Sequence, residues 1–374
     1  GLHCYCEQLV HGLITTGLTD QVSWGAYIAN FTYLVGLAAA AAMLVIPVYV
    51  YRNMQLHDVV IFGELLAIAV ILMCLLFVTV DLGRPDRFMH MLLRFNFPMS
   101  MLTWDVIALN GYLALNLYIC GYLIFCSYCE RKPSPLVYVP FVFAAIVWAI
   151  SIHTVTAFLY VGLGGRPFWN SAIIAPRFLA SAFAAGPAFI ILTLQVVRWA
   201  THHEVKDEAL LTLRRIMQVS MVISVFMLIC EVFTEFYTDS THVASAQYLF
   251  FGLNGQTALV PWIWTAVSMN AVATVLLVLP ASRGLKVLNI ACVLAIVGIW
   301  IEKGMGLIVP AFVPTPLGEV VEYTPTLHET LICLGIWAFG LLYYTITVRV
   351  SVPVLAGEVT YEKRRRRAAA TDSD

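Results

Sequence analysis

Two titratable side chains stand inside long apolar stretches of this 374-residue chain: Asp105, in Leu102-Thr103-Trp104-Asp105, and His153, in Ser151-Ile152-His153-Thr154. A carboxylate at such a position can exchange protons with a bound molecule, and an imidazole can donate to or accept from a ligand carbonyl. Plainer roles are open to both. Thr103 could cap a helix that carries Asp105 in its first turn, where an acid favours the helix dipole. A lone buried His can equally be a hydrogen-bonded structural residue.

Eight more ionisable residues share their depth. Asp81, Arg177, Glu231, Glu235, Glu302, Lys303, His328 and Glu329 fall near the same ends of the apolar runs, and only Glu64 clearly belongs to the opposite ends. Ionisable groups within apolar spans are costly and rare, and by default mark a functional site. Glu231 and Glu235, spaced i, i+4, share one helix face; two like charges so close repel, so one pairs with Arg177 or Lys303 or carries a proton. Glu302-Lys303 close one run and His328-Glu329 open the next. They either neutralise their neighbours or form a proton-release route with Asp81 and Glu235. Glu64 could begin a path from the other end with Asn110, Asn116 or Asn270. Trp24 stands at the start of a run, where an interfacial Trp is common.

Helices must position these groups. The chain is 61% apolar and 11% charged, with mean hydropathy +0.85; soluble domains carry about 25% charged residues. The apolar runs reach roughly 20 residues or more, the length of a bilayer-crossing helix and not the ~10-residue alternation of an outer-membrane barrel. Nine are read, at 24–50, 59–80, 103–126, 136–159, 178–200, 213–238, 258–279, 286–308 and 328–350. An all-α integral membrane protein with nine transmembrane helices is therefore predicted. A formal net charge of −1 leaves no nucleic-acid footprint.

Nine cysteines lie mostly within apolar runs, where Cys behaves as a small hydrophobe. Cys126-Ser127-Tyr128-Cys129 is a C-x-x-C, but a zinc or cluster site wants a second pair at ligand spacing, and none follows. A b-type haem held by two His needs a partner for His153 at matching depth; the other eight His lie in loops or near run ends, and His328 is poorly placed. No metal site, haem, iron–sulfur cluster or flavin is expected in this chain.

Fifteen Lys and Arg fall in the links after the first, third, fifth and seventh runs and in the tail, including Arg52, Arg131, Lys132, Arg214, Arg215 and the Lys363 to Arg367 run; six fall at the opposite face. The positive-inside rule places the C-terminus in the cytoplasm and the polar cluster outside, towards the periplasm. The basic tail reads as an anchor for anionic lipid, and His202 to Glu208 as a solvated turn. The outer connections 81–102, 160–177, 239–257 and 309–327 are rich in Pro, Gly and aromatics, and suit docking on the membrane or a partner subunit.

Val22-Ser23-Trp24-Gly25-Ala26-Tyr27-Ile28, Asp81-Leu82-Gly83-Arg84, Leu102-Thr103-Trp104-Asp105, Ile152-His153-Thr154 with Gly164-Gly165-Arg166-Pro167-Phe168-Trp169, and Tyr323-Thr324-Pro325-Thr326-Leu327-His328-Glu329 occur in order. Together they resemble the NrfD/PsrC family of quinone-reacting membrane subunits, in its branch of about ten helices. The stretch from Ser151 to Pro187 is most similar to the P subunits of Dsr transmembrane complexes of sulfur-metabolising prokaryotes. The resemblance implies two four-helix bundles, menaquinone or another quinone bound near the outer face, and electron exchange with a periplasmic ferredoxin-like iron–sulfur subunit. In Dsr-type complexes a multihaem cytochrome c and cytoplasmic iron–sulfur and cytochrome b subunits accompany it. The chain opens Gly1-Leu2-His3-Cys4 with no initiating Met, and residues 1–23 are read as an N-terminal segment holding the end of a truncated first helix. Residues 24–350 form the quinone-interacting membrane domain, and 351–374 the cytoplasmic tail.

The expected protein is thus a multi-pass quinol–quinone oxidoreductase subunit of the cytoplasmic membrane, active only within its complex. Trp24, Asp105, His153 and Arg177 would surround the quinone head group, with Asp105 and His153 handling its protons. A secondary transporter is the alternative, although transporters place their sites near the midplane on broken helices. A purely structural anchor would leave the intramembrane acids unexplained.

Overall fold

In lipid every backbone polar group must be satisfied within its own segment, so apolar runs of this length close into helices. The computed structural model describes residues 1–51, 56, 59–201, 205–237 and 243–365, with backbone only at Ala40 and Leu92. Arg52, His202 to Glu204, residues 239–242 of one outer connection, and Arg366 and Arg367 of the basic run lie outside the described residues. The helices are α1 (Leu2–His11), α2 (Ala26–Ala38), α3 (Ala40–Val45), α4 (Val60–Asp81), α5 (Phe88–Leu93), α6 (Met101–Tyr128) and α7 (Pro135–Val161). They continue with α8 (Ile174–Ala200), α9 (Asp207–Tyr237), α10 (Val243–Phe250), α11 (Val260–Val278), α12 (Leu285–Lys303), α13 (Met305–Ile308) and α14 (Leu327–Leu355). Among the described residues there are nine helical segments long and apolar enough to cross a membrane, and no strand. The first, Ala26–Val50, joins α2 and α3 to a π turn; the eighth, Leu285–Phe312, joins α12 and α13 to a 3-10 turn.

Two boundaries move roles assigned from sequence. α6 begins at Met101, with Ser100 at its cap position and no side-chain cap bond. Thr103 therefore lies inside the helix instead of capping it, and Asp105 falls in the second turn. α9 begins at Asp207, so Asp207 and Glu208 belong to its first turn, where acids suit the helix dipole, and not to the preceding link.

Two groups of four spans result. The span of α2 and α3 packs with α4, α6 and α7, while α8, α9, α11 and α12 pack together. The groups meet where α2, α3 and α7 touch α8. α14 flanks the first group against α4, α6 and α2, and α1 runs antiparallel along the start of α14, with Glu7 at His328 and Gly1 at Gly335. Small residues allow the closest approaches, as is common between membrane helices. At Gly298 of α12 an added Cβ would come 2.3 Å from Asn270 Oδ1 of α11 and 3.2 Å from the Ala266 carbonyl. Gly298 leaves room for Asn270 to reach across one turn to Glu302, which it meets at 2.6 Å. A Gly298→Leu substitution should cost about 1–3 kcal/mol by overpacking. Thermal unfolding of the detergent-purified protein checks this, and an unchanged melting temperature would show that the α11–α12 contact is loose.

Candidate functional site

The buried titratable groups gather where α4, α7, α9 and α12 end and where α6, α8 and α14 begin. Asp81 is the last residue of α4, Glu302 and Lys303 are the last of α12, Arg177 lies in the first turn of α8 and Glu329 in the first turn of α14. Asp105, His153, Glu231, Glu235, Glu302, Lys303 and Glu329 are all buried.

Within the first group, His153, Thr156 and Tyr160 project from one face of α7, spaced three and four residues apart. Thr156 Oγ1 donates to Asp105 Oδ1 at 2.6 Å, and the hydroxyls of Tyr160 and Thr32 meet at 2.5 Å. His153 Nδ1 is 2.9 Å from the Ala149 carbonyl, while its Nε2 is buried without a hydrogen-bond partner among the described residues. Above this face lies an aromatic cap. Trp24 packs edge-on against Tyr160 and Phe312, with ring centres 6.0 and 6.1 Å apart, and tilted on Trp169 at 5.5 Å. Arg166 holds its guanidinium 4.4 Å from the centre of the Phe312 ring, and burial lowers its affinity for the proton relative to a free arginine. Trp24, at Tyr160, and Asp105, at Thr156, are thus strung along the face of α7 that also carries His153.

Arg177, expected to join them, belongs to the other group. Its guanidinium pairs with Glu231 and donates to Glu302 Oε1 at 2.8 Å. Asn270 Nδ2 donates to the other oxygen, Glu302 Oε2, at 2.6 Å. This cluster takes one residue each from α8, α9, α11 and α12. Glu235 lines the same small cavity one turn from Glu231. Of the pairings open to the two acids, Glu231 takes Arg177. Lys303 instead donates to the Phe178 carbonyl at 3.4 Å and lies 4.2 Å from the centre of the Phe178 ring. An added Cβ on Gly36 of α2 would come 2.9 Å from Lys303 Nζ, so Lys303 stands between the two groups.

Glu329 forms a third cluster. Thr326-Leu327-His328-Glu329 has the spacing of a capping box, and Thr326 Oγ1 accepts from Glu329 N at 3.2 Å. The carboxylate does not turn back to complete the box. It accepts from Gly17 N at 3.1 Å and Ala26 N at 3.3 Å, and from the hydroxyl of Tyr323. Burial, and then the Glu329 charge, push the Tyr323 phenol well above its ordinary value. Tyr323 therefore keeps its proton through the physiological range and acts as the donor. His328 bonds Glu7 at 2.7 Å. Cys4, Glu7 and His328 bring ligand-type atoms within 4.8 Å of one another, but the His328–Glu7 bond satisfies that pair and no metal site is assigned.

Glu64 lies towards the other end, buried, with Cys120 Sγ at 3.6 Å and Tyr112 and Asn116 on the wall of the same small cavity. Of the asparagines grouped with it from sequence, Asn116 stays nearby, Asn110 bonds the Val106 carbonyl, and Asn270 belongs to the Arg177 cluster. Sequence reading passed over Thr156, Tyr160 and the hydroxyl of Tyr323. The first two could have been found from the i, i+3, i+7 spacing that starts at His153.

The fold and these clusters define a polytopic helical membrane protein with ionisable groups buried at one end of its bundles. The chain matches the family described as "Polysulphide reductase, NrfD" over residues 15–313, and it belongs to that family. It is 25% identical to a putative membrane subunit of dimethyl sulfoxide reductase from Halobacterium salinarum, over 91% of this chain and 86% of the relative. It is 23% identical to an Hdr-like menaquinol oxidoreductase integral membrane subunit of Archaeoglobus fulgidus, over 92% and 89%. It is 25% identical to a subunit of the selenate reductase of Mesobacillus selenatarsenatis, over 93% and 89%.

Removing one partner of a buried ion cluster strands the others. Arg177→Gln should cost on the order of 3–5 kcal/mol, because it leaves Glu231 and Glu302 facing each other. Yield and thermal stability in detergent would report the loss; wild-type stability would mean that water reaches the cluster.

Proposed function

We propose that this protein is the quinone-reactive membrane subunit of an oxidoreductase complex, exchanging electrons between a membrane quinol, menaquinol in the first instance, and an iron–sulfur partner subunit. The observation that carries the reading is that one buried face of α7 carries His153 and, through Thr156, holds Asp105, beneath the Trp24 aromatic cap. Quinol oxidation releases two protons with two electrons, and in a low-dielectric bundle the protons need fixed groups to receive them. Asp105, with a hydroxyl already donated to it, and His153, whose Nε2 has no hydrogen-bond partner among the described residues, supply such groups. Family membership and the menaquinol oxidoreductase relative of similar length support the substrate class.

The partner docks at the end that carries the ion clusters. The outer connections there are the long ones and are rich in Pro, Gly and aromatics, which suits a contact surface. With fifteen basic residues at the opposite face and six at this one, the polar end faces the periplasm and the C-terminus the cytoplasm. Glu235, Glu302 and Lys303 form the second bundle's part of a proton path, with Asp81 and Glu329 nearer the first and Glu64 at an inner entrance. Placement in the sulfur-metabolising, Dsr-type branch, with its cytochrome subunits, rests on the stretch from Ser151 to Pro187; the relatives named above are subunits of other complexes.

Asp105→Asn and His153→Ala should each slow quinol-driven reduction of the partner at least 10-fold, of order the ~10²-fold typical of acid–base groups, while the complex still assembles. Turnover at the wild-type rate in both variants would take Asp105 and His153 out of the reaction. Single-cysteine labelling in intact cells tests the orientation: a cysteine placed in the 160–177 connection should react with an impermeant reagent and one in the tail should not, and the reverse pattern would invert the topology.

A further inference from the structure

Asn30 and Thr32, two residues apart, project from opposite sides of α2. Thr32 faces Tyr160, and Asn30 faces a cleft of about 380 Å³ at the same end of the molecule. Trp262, Trp300, Trp337 and Tyr323 line this cleft. Asn30 Oδ1 fixes two of those walls by accepting from the indoles of Trp300 at 3.0 Å and Trp337 at 2.9 Å. Trp262 and Leu334, also on the lining, are 56% and 59% exposed on helices long and apolar enough to span a membrane. Part of the mouth of the cleft is thus made by side chains on the outer surface of membrane-length helices, where acyl chains can reach it. Its polar end is the Tyr323 hydroxyl, which accepts from Ala26 N at 2.8 Å and donates to Glu329.

We infer that this cleft holds the ring of an isoprenoid quinol taken from the bilayer, and that Tyr323 and Glu329 accept the proton it releases. The inference rests on the quinone reading above and adds to it a binding site separate from the α7 face. The volume lies within the roughly 300–1,000 Å³ of small-molecule clefts. A planar ring finds aromatic partners in the tryptophans, an isoprenoid tail leaves through the lipid-side mouth, and the ring hydroxyl meets Tyr323. A lipid acyl chain would use the apolar walls but neither the Tyr323 hydroxyl nor the carboxylate behind it.

The proton step balances. The quinol O–H bond breaks as its proton passes to Tyr323 Oη, while the proton of Tyr323 moves to the Glu329 carboxylate. Two electrons leave, one at a time, for the oxidised iron–sulfur centre of the partner subunit. The second proton follows once Glu329 has passed its own onward. Asp81, the last residue of α4, lies at the same end of the molecule as Glu329 in the first turn of α14.

The test combines photolabelling and kinetics on the whole complex. An azido-naphthoquinone should attach to peptides carrying Trp262, Trp300 or Trp337, and excess short-tailed naphthoquinol should compete it away. Tyr323→Phe, which keeps the ring, should lower kcat for that quinol at least 10-fold with KM little changed. Trp337→Ala should raise KM at least 10-fold with kcat little changed. Glu329→Gln should lower kcat and flatten its pH profile while the label stays in the cleft. Label that excess quinol does not displace marks a lipid site and overturns the inference, as does label confined to residues 101–161 or a wild-type kcat in Tyr323→Phe. A wild-type complex without any quinol-driven reduction of the partner would instead sink the broader quinone reading.

Discussion

The guanidinium of Arg177, held between the carboxylates of Glu231 and Glu302, is the contact on which the second bundle depends. A charge inside a bilayer has little water to solvate it, so it pairs with an opposite charge or with backbone carbonyls of the protein. Arg177 on α8 meets that demand by drawing in α9 and α12, and Asn270 on α11 completes the set through Glu302. Non-directional apolar packing would let four helices slide or rotate. An ion cluster with one member on each helix fixes their register at one depth.

The first bundle is organised differently. At the same end its polar links include single hydrogen bonds between hydroxyl, carboxylate and phenol groups, Asp105 to Thr156 and Thr32 to Tyr160. Opposed full charges neutralise each other and hold still, whereas a carboxylate held by one hydroxyl can gain or lose a proton without dismantling its surroundings. This contrast separates a bundle set by ion pairs from one suited to proton exchange. Lys303, lodged against the Phe178 ring and beside Gly36 of α2, lies where the two bundles meet.

Glu329 plays a structural part as well. By accepting from Gly17 and Ala26 it ties the segment before α2 to the start of α14, and Gly25 is needed beside it, since an added Cβ there would come 2.3 Å from the Tyr323 ring and hydroxyl. The wall of the cleft and the route by which a proton would leave it are therefore built from the same side chains.

Helices, their number and the depth at which ionisable residues collect were legible in the sequence, because hydropathy and distance from a run's end are local quantities. Depth, however, gives one coordinate of three. Which way a side chain turns depends on helix rotation and on which helices become neighbours, and these are decided by packing of distant segments. For that reason Arg177 left the group assigned to it for Glu231 and Glu302, Asn270 crossed to the other bundle from Glu64, and the Thr326–Glu329 capping pattern was diverted to Gly17 and Ala26, some 300 residues away in the chain. The cleft at Asn30 has no sequence signature at all. Its tryptophans are spread over α11, α12 and α14, each ordinary in its own segment, and only the tertiary contacts bring them round one space.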